Sequence, residues 1–156
     1  SAFKPSPEWA YYCCGQFGNY ESNRFFNMPS IRNRILGAQL YETGTKGFLH
    51  WGFNFYNSQY SRYPVDPYFQ SDADGGFQSG DSFIVYPGRQ GALASLRLEV
   101  FFDGLQDVCA LRAAEKKIGR EELLRRLHKI GVSGFTGRID AERWLKFRKE
   151  INALLA

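Results

Sequence analysis

Three side chains able to hydrogen-bond, His50, Trp51 and Asn54, sit in one apolar stretch, Gly47-Phe48-Leu49-His50-Trp51-Gly52-Phe53-Asn54-Phe55-Tyr56. Aromatic bulk after an opening Gly reads as a strand. Phe48, Leu49 and Trp51 are all large, which predicts a strand over 47–55 that is buried on both faces. Such strands avoid polar groups unless a partner waits. A flat indole with an N–H, followed three residues on by an amide that donates and accepts, suits a sugar ring. The ring needs a face to stack on, and its hydroxyls need hydrogen bonds. Tyr12 and Tyr56 add phenol hydroxyls at strand ends, and Asp81 adds a carboxylate just before a third apolar run. Each has a plainer role beside it: a core Trp, a satisfied core His, a rim Tyr, a loop-capping Asp.

Other chemistries fit less well. Cys13-Cys14 with His50 suggests a thiol nucleophile, yet nothing fixes a third partner or an oxyanion hole. Asp66, Asp72 and Asp74 lack the spacing of an EF-hand loop and read as turn chemistry. No zinc-ligand spacing is present, so no metal and no cofactor are expected. Glu99, Asp103 and Asp107 recur every four residues on one predicted helix, where like charges repel slightly. A structural pairing with Arg32 or Arg34 explains them better than catalysis.

Positioning these residues requires an ordered set of elements. Glu8–Cys14 reads as a first strand. A helix follows from the Ser30 cap, with Ile31, Ile35, Leu36 and Leu40 at helical spacing and Gly44 as its stop. Next come the 47–55 strand, a long loop from Asn57 to Gly80, and a third strand, Ser82–Tyr86, closed by Pro87-Gly88. A loop of that length is often functional. Three helices complete the chain: Ser95 to Lys117, with Leu96, Val100, Leu105, Val108 and Leu111 as its apolar side; Glu121 to Lys129; and Asp140 to Leu155, with Trp144, Phe147 and Ile151 as its stripe. Alternation of strand and helix predicts parallel strands with crossovers.

The 156 residues predict one domain with a real core. Net charge is +4, and the basic residues mix with Glu on the later helices. That is a solvated helical face, with no basic groove interleaved with aromatics, so no nucleic-acid partner is expected. No apolar run is long enough to span a membrane and no signal peptide is visible. Three Cys give no disulfide framework, which favours a cytoplasmic setting over a secreted one. Ser1–Pro7 reads as a linker or a cut.

Three separated motifs, in this order and spacing, resemble a known family. They are Gly47–Tyr56, Gly80-Asp81-Ser82-Phe83-Ile84-Val85-Tyr86-Pro87-Gly88, and Ser95-Leu96-Arg97-Leu98-Glu99-Val100-Phe101-Phe102-Asp103-Gly104-Leu105-Gln106-Asp107. Upstream, Trp9-Ala10-Tyr11-Tyr12-Cys13-Cys14-Gly15, Asn23-Arg24-Phe25 and Arg32-Asn33-Arg34 agree. Over about residues 8–115 the chain resembles the C-terminal part of the catalytic domain of glycoside hydrolase family 123. The resemblance implies a (β/α)8 barrel acting on N-acetylgalactosaminides, whose sites gather at the C-terminal ends of the strands. It implies substrate-assisted retention, in which the 2-acetamido group attacks the anomeric carbon. One acid of an adjacent Asp-Glu pair orients that group and the other protonates the leaving oxygen. No Asp is followed by Glu in this sequence.

The expected fold is therefore α/β: C-terminal strand–helix units of a (β/α)8 barrel, a partial parallel sheet, over residues 1–117, followed by a helical extension over 118–156. The expected function is a segment of a hydrolase of N-acetyl-hexosaminides that lacks the catalytic pair. It contacts a glycan through Tyr12, His50, Trp51, Asn54, Tyr56 and Asp81, with no catalytic residue of its own. The alternative is a non-catalytic module binding carbohydrate or protein. A three-stranded parallel sheet leaves an apolar face uncovered, so self-association or contact with the barrel's first half is expected.

Overall fold

The computed structural model describes residues 9–12, 22–135 and 139–156. Cys13, Cys14 and the start of the polar loop lie outside the described residues. The fold is α/β. Strand β1 (Trp9–Tyr12) pairs in parallel with β2 (Gly47–His50), Trp9 opposite Gly47 and Tyr12 opposite His50. Two short helices connect them, α1 (Ile31–Arg34) and α2 (Leu36–Glu42). Ser30 precedes α1 as expected, but its side chain makes no cap hydrogen bond.

The sheet departs from the expected one in two ways. First, β2 ends at His50, and Leu49 is 52% exposed, so the strand is not buried on both faces. Beyond it the chain turns across residues 81–84. A Cβ at Gly52 would lie 2.6 Å from the Asp81 carbonyl oxygen, an approach only Gly allows. Phe55 N–H then donates to Ser82 O and Ile84 N–H to Phe53 O, closing an antiparallel bridge between Asn54 and Phe83. Second, the third strand is β3 (Val85–Gly88), and it does not extend the parallel pair. It forms an antiparallel hairpin with β4 (Gly91–Ala94), Gly88 opposite Gly91, reversing through Arg89 and Gln90. Pro87-Gly88 does not stop the strand. The two residues make the last two ladder pairs before the turn, with Ala92 and Gly91, and Pro is tolerated because a two-stranded ribbon leaves edge positions for it.

The helices follow the sequence closely. Helix α3 (Leu96–Ile118) is capped by Ser95, whose hydroxyl accepts from Leu98 N–H and donates to Ile84 O at 2.6 Å. One side chain thus starts the helix and anchors it to the end of the 81–84 segment. Helix α4 (Arg120–Ile130) ends at Gly131 in the left-handed conformation. Helix α5 (Ala141–Leu155) starts at Asp140, which accepts from Arg143 N–H.

The core lies among the helices. Ile35, Ala38, Tyr41, Leu111, Ala114, Leu123, Leu127, Trp144, Phe147 and Ile151 are buried together. The inward side of α3 differs from the expected stripe. Leu111 is buried, but Leu96 and Leu105 are exposed, and Gly104, Asp107 and Ala114 face inward instead. The reason is the closeness of the end of α1 and the start of α2. A Cβ on Gly37 would meet the Gly104 carbonyl oxygen at 1.8 Å, and one on Gly104 would meet the Arg34 carbonyl at 2.6 Å. Two helices at that distance admit only small residues between them.

Asp107 locks this contact. It is fully buried and accepts from Arg34 Nε (2.8 Å) and Nη2 (3.1 Å), Arg148 Nε (2.6 Å) and Trp144 Nε1 (3.2 Å). Asp103 reaches Arg34 at 3.4 Å. Two of the three acidic residues, Asp103 and Asp107, thus pair with Arg34 in a structural role, as the sequence suggested, while Glu99 is exposed. The hydrogen bond to Asp107 raises the Arg34 pKa, so its charge is secure.

Candidate functional site

The candidate residues gather where β2 ends. The turn after His50 is stapled by its own ring: Gly52 N–H donates to His50 Nδ1 at 3.1 Å. Because Nδ1 accepts, the proton of the neutral ring sits on Nε2. Burial pushes the imidazole down to about 3, and the Arg24 and Arg97 charges push in the same direction. His50 is therefore neutral at ordinary pH. It serves as a fixed hydrogen-bonding group and cannot act as a general acid there.

Trp51 is half-buried, and its Nε1–H donates to Asp81 Oδ2 at 3.3 Å. Its ring meets Phe77 at 4.8 Å and Phe55 at 5.5 Å between centroids. The indole is thus clamped by two rings and one carboxylate, a rigid plate with little rotamer entropy left to lose on binding. Asp81 is buried. It lies at the end of the long loop, whose fold is fixed by hydrogen bonds such as Ser58 N–H to Tyr63 O and Gly80 N–H to Ser71 O.

The other expected contacts are more scattered. Tyr56 donates its hydroxyl proton to Val85 O at 2.8 Å, leaving the oxygen only as an acceptor, and burial raises its pKa. Its ring reaches the cluster indirectly, through Phe83. Asn54 is exposed, and the bridge that sets it opposite Phe83 is held by the backbone of its neighbours Phe53 and Phe55, not by its amide. Tyr12 stands opposite His50 in the β1–β2 register, and its side chain lies outside the described residues. Among the described residues, His50, Trp51 and Asp81 form the compact part of the site.

Two residues join them that the sequence reading left out of the site. Arg24 is buried, with its guanidinium over the rings of Phe48 (5.5 Å) and Phe101 (5.8 Å). Arg97 donates from Nη1 to Arg24 O (2.9 Å) and Gly80 O (2.5 Å), and lies over Phe26 (4.6 Å) and Phe83 (5.3 Å). Burial lowers its pKa. Asn33 Nδ2 donates to the Arg97 carbonyl at 2.7 Å, so α1 also holds this end of α3. One signal was available. Arg97 is the second residue of α3, where the helix dipole opposes a cation, so its presence there implies a partner outside the helix.

The site therefore offers a clamped aromatic plate, a buried carboxylate behind it, a neutral imidazole, the buried guanidinium of Arg24 and the half-buried one of Arg97. It can stack on a ring face and donate hydrogen bonds. A family model described as glycoside hydrolase 123, catalytic domain, matches residues 3–114. No curated protein matches the chain.

Proposed function

Because the chain belongs to glycoside hydrolase family 123 through residues 3–114, we propose that it is the C-terminal, sugar-contacting part of a hydrolase of N-acetyl-hexosaminides. In this reading β1 and β2 are neighbouring strands of a (β/α)8 barrel, with α2 and α3 on its outside. The parallel β1–β2 pair, with helices in its connection, supports that reading. Residues 118–156 then form a helical extension packed on the outer helices.

The observation that carries the proposal is the Trp51–Asp81 pair. The indole is held by its N–H and by two flanking rings at the C-terminal end of a parallel strand, where barrel enzymes bind substrate. Trp51 stacks on the pyranose face. His50, Asn54, Tyr12 and Tyr56 supply hydrogen bonds to hydroxyls or to the acetamido group, and Asp81 keeps the indole in place. The substrate's own 2-acetamido group is the nucleophile of the implied retaining chemistry. The adjacent Asp-Glu pair that orients it and protonates the leaving oxygen does not occur in this sequence. The residues here bind and orient, and the proton transfer belongs to other residues. The uncovered apolar surface is filled by self-association or by further strands of the barrel.

The test combines calorimetric titration with N-acetylgalactosamine and an assay on a chromogenic N-acetyl-β-galactosaminide. Saturable binding, lost in Trp51→Ala, with no turnover is expected. Turnover by the chain alone would refute the non-catalytic assignment. Binding unchanged in Trp51→Ala would remove the stacking role.

A further inference from the structure

A second cleft lies at the opposite end of β2 from His50. It is open, about 710 Å³, and its lining includes Lys46, Arg112, Lys116, Arg120, Glu115 and Tyr41. Lys46 immediately precedes the first residue of β2, whereas His50 is its last. A four-residue strand spans roughly 10 Å, so the two places are separate.

Four cations and one carboxylate line this cleft, and the carboxylate is already engaged. Glu115 accepts from the Tyr41 hydroxyl at 2.6 Å and pairs with Arg120 at 3.6 Å. Arg120 is engaged too: it lies over the Tyr41 ring and donates to the carbonyls of Tyr41 and Glu42, closing the end of α2. Lys46, Arg112 and Lys116 remain, and none makes an ion pair among the described residues. Arg112 and Lys116 are four apart on α3, neighbours on one face, where like charges are unfavourable. The dipole of α3 favours Lys116 in the last turn. It does not account for Arg112, a turn earlier, or for Lys46, on a different element.

We propose that this cleft binds a phosphate or sulfate group, with Arg112, Lys116 and Lys46 as its ligands. The planar guanidinium offers a two-pronged grip, and the two ammonium groups add charge and adaptable donors. The group is either a free inorganic dianion or an ester carried on a larger glycan.

The test is calorimetric titration of the full chain with inorganic sulfate and with inorganic phosphate, at ionic strength held constant with sodium chloride, because exposed charges are screened. Saturable binding is expected. It weakens by about tenfold or more in Arg112→Ala/Lys116→Ala, the loss of a charge-assisted hydrogen bond. It is retained in Lys149→Ala, an exposed lysine on α5. Circular dichroism checks that each variant folds. A sulfated N-acetylgalactosamine oligosaccharide that binds tighter than inorganic sulfate, with the same loss in the double variant, identifies an ester group. Binding no tighter than the inorganic ion identifies the free anion. Absence of saturable binding, or an equal loss in Lys149→Ala, overturns the proposal.

Discussion

His50 shows how one residue's setting fixes its chemistry. Its pKa is about 3 in the folded protein, below the 6.5 of an unperturbed His. Between those values the unfolded chain holds a proton that the folded chain does not, so stability falls as pH drops through the unfolded value toward the folded one. Above that window this contribution is complete. In His50→Asn the amide oxygen still accepts from Gly52 N–H, but nothing titrates. Urea unfolding of the two proteins at pH 7.5 and pH 5 should give a smaller loss for the variant, and equal losses would mean His50 is not buried as described. Asp107 makes the opposite case, a charge held by geometry. In Asp107→Asn, Arg34 and Arg148 keep their charges and lose their shared counter-ion, which should destabilise by about 3 kcal/mol in the same assay. The pairing of Asp107 was legible from the acidic repeat and the arginines of the first helix. Arg24 was not. Nothing in its local sequence says that its guanidinium is packed between Phe48 and Phe101, because those rings come from distant parts of the chain.

At the scale of elements, the α2–α3 contact turns on two glycines. Replacing a mid-helix Gly with Ala ordinarily stabilises by roughly 1 kcal/mol through helix propensity. Gly37→Ala should do the reverse, because its methyl would meet the Gly104 carbonyl oxygen inside contact distance, and backbone cannot step aside as a side chain can. Thermal unfolding checks the sign, and a rise in Tm would mean the helices separate freely. The helices themselves were readable, since Ser95, Asp140, Gly119 and Gly131 act within a turn of where they stand. The strands were less so. Residues 82–86 have the composition of a strand, but which strand they join depends on the close approach at Gly52 and on the turn at Arg89–Gln90. Register across a sheet is a long-range property, and composition does not carry it. The inward face of α3 failed to match the apolar stripe for a related reason. Its neighbour is so near that Gly and Asp face inward while Leu96 and Leu105 face out.

Across the whole molecule the core between the helices is closed, but several large apolar side chains outside it are not covered. Trp144, Leu111, Leu123, Leu127 and Ile151 are fully buried, whereas Phe69 is 91% exposed, Leu96 74%, Trp9 69% and Phe102 55%. Phe102 and Leu105 stand at i, i+3 spacing and share one side of α3, both exposed, and Leu49 of β2 is exposed as well. Among the described residues β2 has β1 as its only strand neighbour. A two-stranded parallel pair is not a stable unit by itself, and parallel strands are normally covered on both faces. Apolar surface of this extent calls for a cover, which is the reason the protein alone should self-associate. Light scattering after size exclusion at tens of micromolar should therefore give a mass above that of one chain. Phe102→Glu with Leu105→Glu places two carboxylates on the outward side of α3 without touching Gly104 or Asp107. Burying a Phe or Leu contributes about 1.5–3 kcal/mol, so removing the pair should weaken association by roughly 100-fold or more and return a monomer. If the parent chain is already monomeric, the outward side of α3 is simply tolerated in water. The barrel reading then loses its physical motive, because nothing in the molecule would require the further strands that a barrel supplies.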